Sequence, residues 1–110
     1  MADLQEHKAI AAKYATNVHT AALDGLAKNY ALVLSKNDSQ YVACGDEGEK
    51  DTIRTNFLKK KLALTNSDAD LNGAIDAVCG KMKEDRFKSR LAFYYLLAEH
   101  FKKLEMFVKK

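Results

Sequence analysis

Residues 89–98 read SRLAFYYLLA, and this stretch decides the fold. It is apolar on more than one face of a helix, and a helix that is apolar most of the way round is buried on several sides. Tyr94 and Tyr95 are consecutive, so both side chains are buried only if the helix is covered on two sides. We therefore predict a central helix that begins near residue 85 or 89 and ends near residue 107.

The rest of the chain also predicts helices. The 110 residues include no proline, although average usage would give about five or six. Proline breaks helices, so a chain that is nearly all helix has few places for it. Apolar spacing of three and four predicts helices over residues 3–16, 20–34, about 46–62 and 67–82. We expect an all-α fold: one domain over residues 1–110, with about five short helices packed around the C-terminal one.

Local signals indicate where the helices begin. Thr20 is the expected N-cap of the second helix, the third opens at Asp46 or Gly48, and Ser67 followed by Asp70 resembles a capping box. Residues 35–39, SKNDS, predict a loop. Residues 41–44, YVAC, are interpreted as one helical turn in the core, with a short strand as the alternative.

Several classes of protein are excluded or disfavoured by the sequence. The longest apolar run, residues 91–98, is far shorter than the roughly 20 residues of a membrane span. The first residues carry no apolar secretory core, so we expect a cytoplasmic protein. Metal-ligand spacing, a nucleophile elbow and a phosphate loop are all missing. We therefore expect no catalytic residue, cofactor or metal site.

Charge is unevenly distributed, with net −3 over residues 1–51 and net +6 over residues 52–110. One hypothesis is an anion- or nucleic-acid-binding face; the favoured alternative is ordinary solvated helix faces. Phe57 and Phe87 lie on apolar stripes, whereas a single-strand binder exposes aromatic rings for base stacking. The candidate anion-binding residues are Arg54, Lys59, Lys60, Lys61, Lys81, Lys83, Arg86, Lys88 and Arg90.

The two cysteines, Cys44 and Cys79, are separated by 34 residues. In a cytosolic chain we expect both to be reduced, buried and structural. The alternative makes Cys44 the reactive thiol of a thiol-dependent enzyme or redox sensor. Its place near the start of a helix lowers a thiol pKa, although Asp46 and Glu47 oppose that effect.

Six of the ten aromatic residues lie in the last quarter of the chain. The favoured interpretation is a core, because a central helix collects aromatic side chains. The alternative is an exposed edge that binds a protein partner or a second copy of the chain. Its candidate interface residues are Tyr94, Tyr95 and Phe101. The leading functional hypothesis is accordingly a non-enzymatic interaction module that self-associates as a homodimer or binds a protein partner.

Four stretches carry a resemblance: YVACGD at 41–46, DTIRTNFLKKKL at 51–62, AVCGKM at 77–82 and FYYLL at 93–97. In these the chain resembles a small bacterial family, domain of unknown function 2853. The resemblance implies a stand-alone, cytoplasmic, mostly helical protein, and it implies no activity or catalytic residue. It makes Cys44, Cys79 and the helix over residues 51–62 the first places to examine.

Overall fold

A computed structural model describes residues 4–14, 19–30, 41–42, 44–83 and 88–107. The elements in chain order are α1 (Leu4–Tyr14), α2 (Thr20–Asn29), β1 (Tyr41–Val42), α3 (Glu47–Thr52), a π-helix (Ile53–Lys61), α4 (Asp68–Lys81), β2 (Lys88–Ser89), α5 (Arg90–His100) and a 3₁₀ helix (Leu104–Phe107).

The central element is α5, and every residue from Arg90 to Ala98 is buried. It packs against α1, α2, α4 and the 3₁₀ helix, which together cover more than one of its sides. The predicted all-α fold with a central C-terminal helix is confirmed. No described helix combines the length and the apolar character that a membrane crossing requires.

The end of α5 differs from the prediction, because the helix stops at His100 rather than near residue 107. Lys102 adopts a positive φ of 59°. Its N–H donates to Glu99 O at 3.1 Å, and the Lys103 N–H donates to Ala98 O at 2.7 Å, which is the hydrogen-bond pattern of a Schellman ending. The chain then turns back as the 3₁₀ helix, so that Phe107 is buried.

Residues 41–42 form a strand, so the interpretation as a helical turn is wrong there and the strand alternative is correct. β1 pairs antiparallel with β2, with Tyr41 opposite Ser89 and Val42 opposite Lys88. The pair is only two residues long in each strand. It joins the segment before α3 to the start of the central helix without changing the fold class.

The caps confirm two predicted helix starts and correct a third. Asp46 Oδ1 accepts from the Gly48 N–H at 2.8 Å, and Ser67 Oγ accepts from the Asp70 N–H at 3.2 Å. The N-cap of α2 is His19 rather than Thr20, because His19 Nδ1 accepts from the Ala22 N–H. The predicted end of the second helix and the loop over residues 35–39 lie outside the described residues.

The third predicted helix is present but changes its winding, since α3 continues as the π-helix. Its last turn closes with the Leu62 N–H donating to Phe57 O at 2.9 Å. Phe57 is buried and stacks on Tyr94, with ring centroids 4.0 Å apart. The wider winding therefore still presents its apolar face to α5.

Candidate functional site: the Cys44–Cys79 pair

Cys44 and Cys79 are joined by a disulfide, with their Cα atoms 6.0 Å apart. That separation is typical of a disulfide, and both residues are half-buried. The expectation of two separate, reduced, buried cysteines is therefore wrong. The pairing was hidden from the sequence because only folding brings the two positions together.

The disulfide lies at one end of a polar seam between α4 and the helix formed by α3 and the π-helix. Lys50 Nζ lies 3.0 Å from Asp76 Oδ1, and farther along the Arg54 guanidinium donates to Asn72 Oδ1 at 3.0 Å. The residue numbers rise on one side as they fall on the other, so the two helices run antiparallel. The disulfide is the covalent member of this series of cross-links.

The far end of the seam is an ion pair between Lys59 and Asp68, with Nζ and Oδ1 2.6 Å apart. The hydrogen bond from Lys59, together with its charge, lowers the pKa of Asp68. The hydrogen bond to Asp76 likewise raises the pKa of Lys50. Ion pairs between exposed side chains contribute little to stability, because solvent screens them. The disulfide is therefore the strongest single link of the seam.

The segment that carries Cys44 is also anchored to the central helix, through Arg90. The Arg90 guanidinium donates to Tyr41 O at 3.3 Å, forms an ion pair with Glu49 and donates to the Tyr94 hydroxyl at 2.9 Å. Tyr41 precedes Cys44 and Glu49 follows it. The position of Cys44 therefore does not depend on the disulfide alone.

Each cysteine is followed by an exposed glycine, Gly45 after Cys44 and Gly80 after Cys79. A Cβ atom built on either glycine would meet nothing within 4 Å. Thiol–disulfide exchange requires a thiolate to approach one sulfur of the disulfide. Both cysteines are half-buried rather than enclosed in the core, and the glycine beside each adds no side chain that would block such an approach.

The chain matches the family described as Protein of unknown function (DUF2853) over residues 5–105. The protein belongs to the DUF2853 family. The matched region includes both cysteines and the whole seam. No curated protein matches the chain at a significant level.

The basic candidates of this DUF2853 protein are not all on its surface. Arg90 is 7% exposed and paired with Glu49, so its place in an anion-binding face is wrong. Arg54 is half-buried and contacts Asp51, Asp68 and Asn72. The exposed lysines of the two clusters are Lys59, which is paired with Asp68, and Lys60, Lys61, Lys81 and Lys83. Arg86 and the side chain of Lys88 lie outside the described residues.

The aromatic candidates are mostly core. Tyr95 is fully buried and Tyr94 is 7% exposed, so the interface prediction is wrong for both and the core interpretation is correct. The Tyr95 hydroxyl accepts from the His19 N–H at 2.7 Å, which secures the start of α2. Phe101 is half-buried and packs edge-on against His100, with ring centroids 4.9 Å apart.

One buried polar contact has no clear signal in the sequence. His7 and Ser89 are fully buried, and His7 Nδ1 lies 2.6 Å from Ser89 Oγ. Ser89 Oγ also accepts from the Ala92 N–H as the N-cap of α5. The two residues are 82 positions apart in the chain, so only folding brings them together.

Among the described residues, no group of three or more His, Cys, Asp or Glu side chains is arranged to hold a metal ion.

Proposed function

We propose that this protein is a small, redox-responsive interaction module, in which the Cys44–Cys79 pair exchanges between disulfide and dithiol. The observation that carries the proposal is the half-buried disulfide at the end of the seam. The protein would act as a non-enzymatic interaction module, as in the leading hypothesis. The redox state of its cysteine pair would regulate binding, which takes up the redox-sensor alternative. We place the protein in the cytoplasm, where disulfides are usually transient, catalytic or redox-sensing.

Reduction proceeds by two thiol–disulfide exchanges with a low-molecular-weight thiol such as glutathione. A glutathione thiolate attacks one sulfur, the Cys44–Cys79 bond breaks, and a mixed disulfide forms as the other cysteine leaves as a thiolate and takes up a proton. A second glutathione thiolate then attacks the mixed disulfide, releasing oxidised glutathione and the second cysteine. Two electrons and two protons pass to the protein, and two glutathione molecules are oxidised.

The structural consequence of reduction is local. The core face of α4, formed by Leu71, Ala74, Ile75 and Val78, is buried in the hydrophobic core. The segment around Cys44 is held by β1 and by Arg90. Reduction therefore leaves the fold in place and releases the link between the segment before α3 and the last turn of α4. That end of the seam is where we place the redox-dependent binding surface.

The test is the equilibrium reduction potential of the pair. The full chain is equilibrated in glutathione buffers of graded composition, remaining thiols are blocked with a maleimide, and the reduced fraction is measured by intact mass. We expect a midpoint above about −300 mV, as in exchanging protein disulfides, whose potentials run from about −120 to −270 mV. A midpoint below about −300 mV, typical of structural disulfides, would overturn the switch.

Sedimentation velocity of the oxidised and reduced chain tests the interaction part of the proposal. We expect the two redox states to differ in self-association, and the Cys44→Ser/Cys79→Ser variant to behave like the reduced chain under oxidising conditions. Identical sedimentation of both states over a wide range of concentration would contradict control of self-association by the pair. Anion binding stays the weaker alternative, because no contact in the described ranges favours it over solvated lysines.

A further inference from the structure

An open cleft of about 260 Å³ lies between α4 and α5. Its apolar floor includes the buried side chains of Val78 and Leu96, with Ala77 beside them. Three ionisable residues complete the lining: Lys81, Glu99 and His100. The volume is below the roughly 300–1,000 Å³ of sites for drug-sized ligands, but above the about 150 Å³ of a cavity that holds benzene. The cleft therefore suits a ligand of a few heavy atoms.

Helical spacing brings these side chains together. Ala77 and Lys81 are four residues apart on α4, and Glu99 and His100 follow Leu96 at three and four residues on α5. Residues at these spacings share one helix face. Each helix therefore contributes an apolar residue and at least one ionisable residue to the same groove.

The ionisable groups of the cleft have no polar partner in the described part of the protein. The side chains of Lys81, Glu99 and His100 form no hydrogen bond or ion pair there, although the His100 ring packs on Phe101. On the opposite face of α4, by contrast, Asp76 is paired with Lys50 and Asp68 with Lys59. The cleft thus offers both a cation and an anion for a ligand to satisfy.

We propose that this cleft binds a free apolar α-amino acid. The ligand carboxylate pairs with the Lys81 ammonium, its ammonium pairs with the Glu99 carboxylate, and its side chain covers Val78 and Leu96. A simple carboxylic acid leaves Glu99 without a partner, and a simple amine leaves Lys81 without one. A short zwitterion with an apolar branch meets both charges and the floor at once. This site is independent of the redox proposal, because it uses the face of α4 that points away from Cys79.

The test is an NMR titration of the isotope-labelled, oxidised full chain with three probes. L-leucine carries both charges, N-acetyl-L-leucine keeps only the carboxylate, and L-leucinamide keeps only the ammonium. We expect saturable shifts of the cleft residues with L-leucine at a dissociation constant on the order of 1 mM. Each blocked probe should bind about tenfold more weakly, because it loses one charge-assisted hydrogen bond.

Two charge-removing variants test which side chain binds which charge of the ligand. Lys81→Gln should weaken L-leucine and N-acetyl-L-leucine about tenfold and leave L-leucinamide unchanged. Glu99→Gln should weaken L-leucine and L-leucinamide instead. Lys83→Gln, which removes an exposed lysine that is not part of the cleft lining, is the matched control and should change nothing.

Three results would overturn the proposal. The first is the absence of saturable shifts at the cleft with L-leucine. The second is equal affinity for L-leucine and N-acetyl-L-leucine, which would make the ligand a peptide C-terminus or a simple carboxylate. The third is a Lys81→Gln variant that binds L-leucine with the same affinity as the Lys83→Gln control.

Discussion

Replacing Arg90 by methionine tests whether the buried guanidinium is a major support of the fold. Arg90 is 7% exposed and holds three oxygens from three parts of the chain: the Glu49 carboxylate, the Tyr41 carbonyl and the Tyr94 hydroxyl. Methionine fills a similar space with apolar atoms and donates to none of them. After the substitution, the carboxylate, the carbonyl and the hydroxyl each lose the hydrogen bond that Arg90 donates to them.

The magnitude follows from the burial of the partners. Removing one member of a buried ion pair costs about 3–5 kcal/mol. The Glu49 side chain is still 20% exposed, so its carboxylate recovers part of its hydration, which places the expected loss of stability at about 3 kcal/mol. For a chain of this size that corresponds to a fall in Tm of about 12 °C or more.

The assay is urea unfolding followed by far-UV circular dichroism, with the disulfide kept intact. A double-mutant cycle with Glu49→Gln should show a coupling of about 2 kcal/mol, because the second substitution removes the orphaned carboxylate. Lys60→Met removes the same charge from an exposed position and should change stability by less than about 0.5 kcal/mol. An Arg90→Met variant as stable as that control, or additive effects in the cycle, would refute the reasoning.

Two further predictions concern backbone contact and pH. A Cβ on Gly25 would overlap the carbonyl oxygen of Phe107, so Gly25→Ala should lower the free energy of unfolding by about 2–3 kcal/mol. The control, Gly73→Ala, lies at an open helical position and should raise that free energy by up to about 1 kcal/mol. Equal effects of the two substitutions in urea unfolding would contradict the contact between Gly25 and Phe107. Burial raises the pKa of three of the five tyrosines, Tyr30, Tyr94 and Tyr95. Because the unfolded chain ionises them near pH 10, these tyrosines should not change stability below that pH and should lower it as the pH rises above it. Tyrosinate absorbance of these residues should appear together with unfolding, and its appearance in a chain with native circular dichroism would count against the prediction.

The positions of the helices were largely predictable because their signals are local. The caps at Asp46 and Ser67 act within three residues. The apolar run at residues 91–98 has to be buried, whichever elements pack against it. The end of α5 was not predictable in the same way. Apolar residues continue to Phe107, and the stop depends on a positive φ at Lys102, which lysine rarely adopts.

Only part of the candidate site could be predicted from the sequence. Cys44 was singled out by its place before a helix, but its partner Cys79 lies 35 positions away. Arg90 looked like part of a basic surface because it follows other cations in sequence, and it is buried because Glu49 lies beside it in the fold. The cleft had no sequence signal, since it needs α4 and α5 side by side.

Local sequence patterns were enough to predict an all-α chain with the aromatic stretch before residue 98 in its core, because periodicity and capping depend on neighbouring residues. Tertiary packing was needed to bring Cys44 and Cys79 together, to bury Arg90 beside Glu49, and to place Phe107 against Gly25. These contacts join residues far apart in the chain, so they exist only when the packing of whole helices brings their atoms within bonding distance.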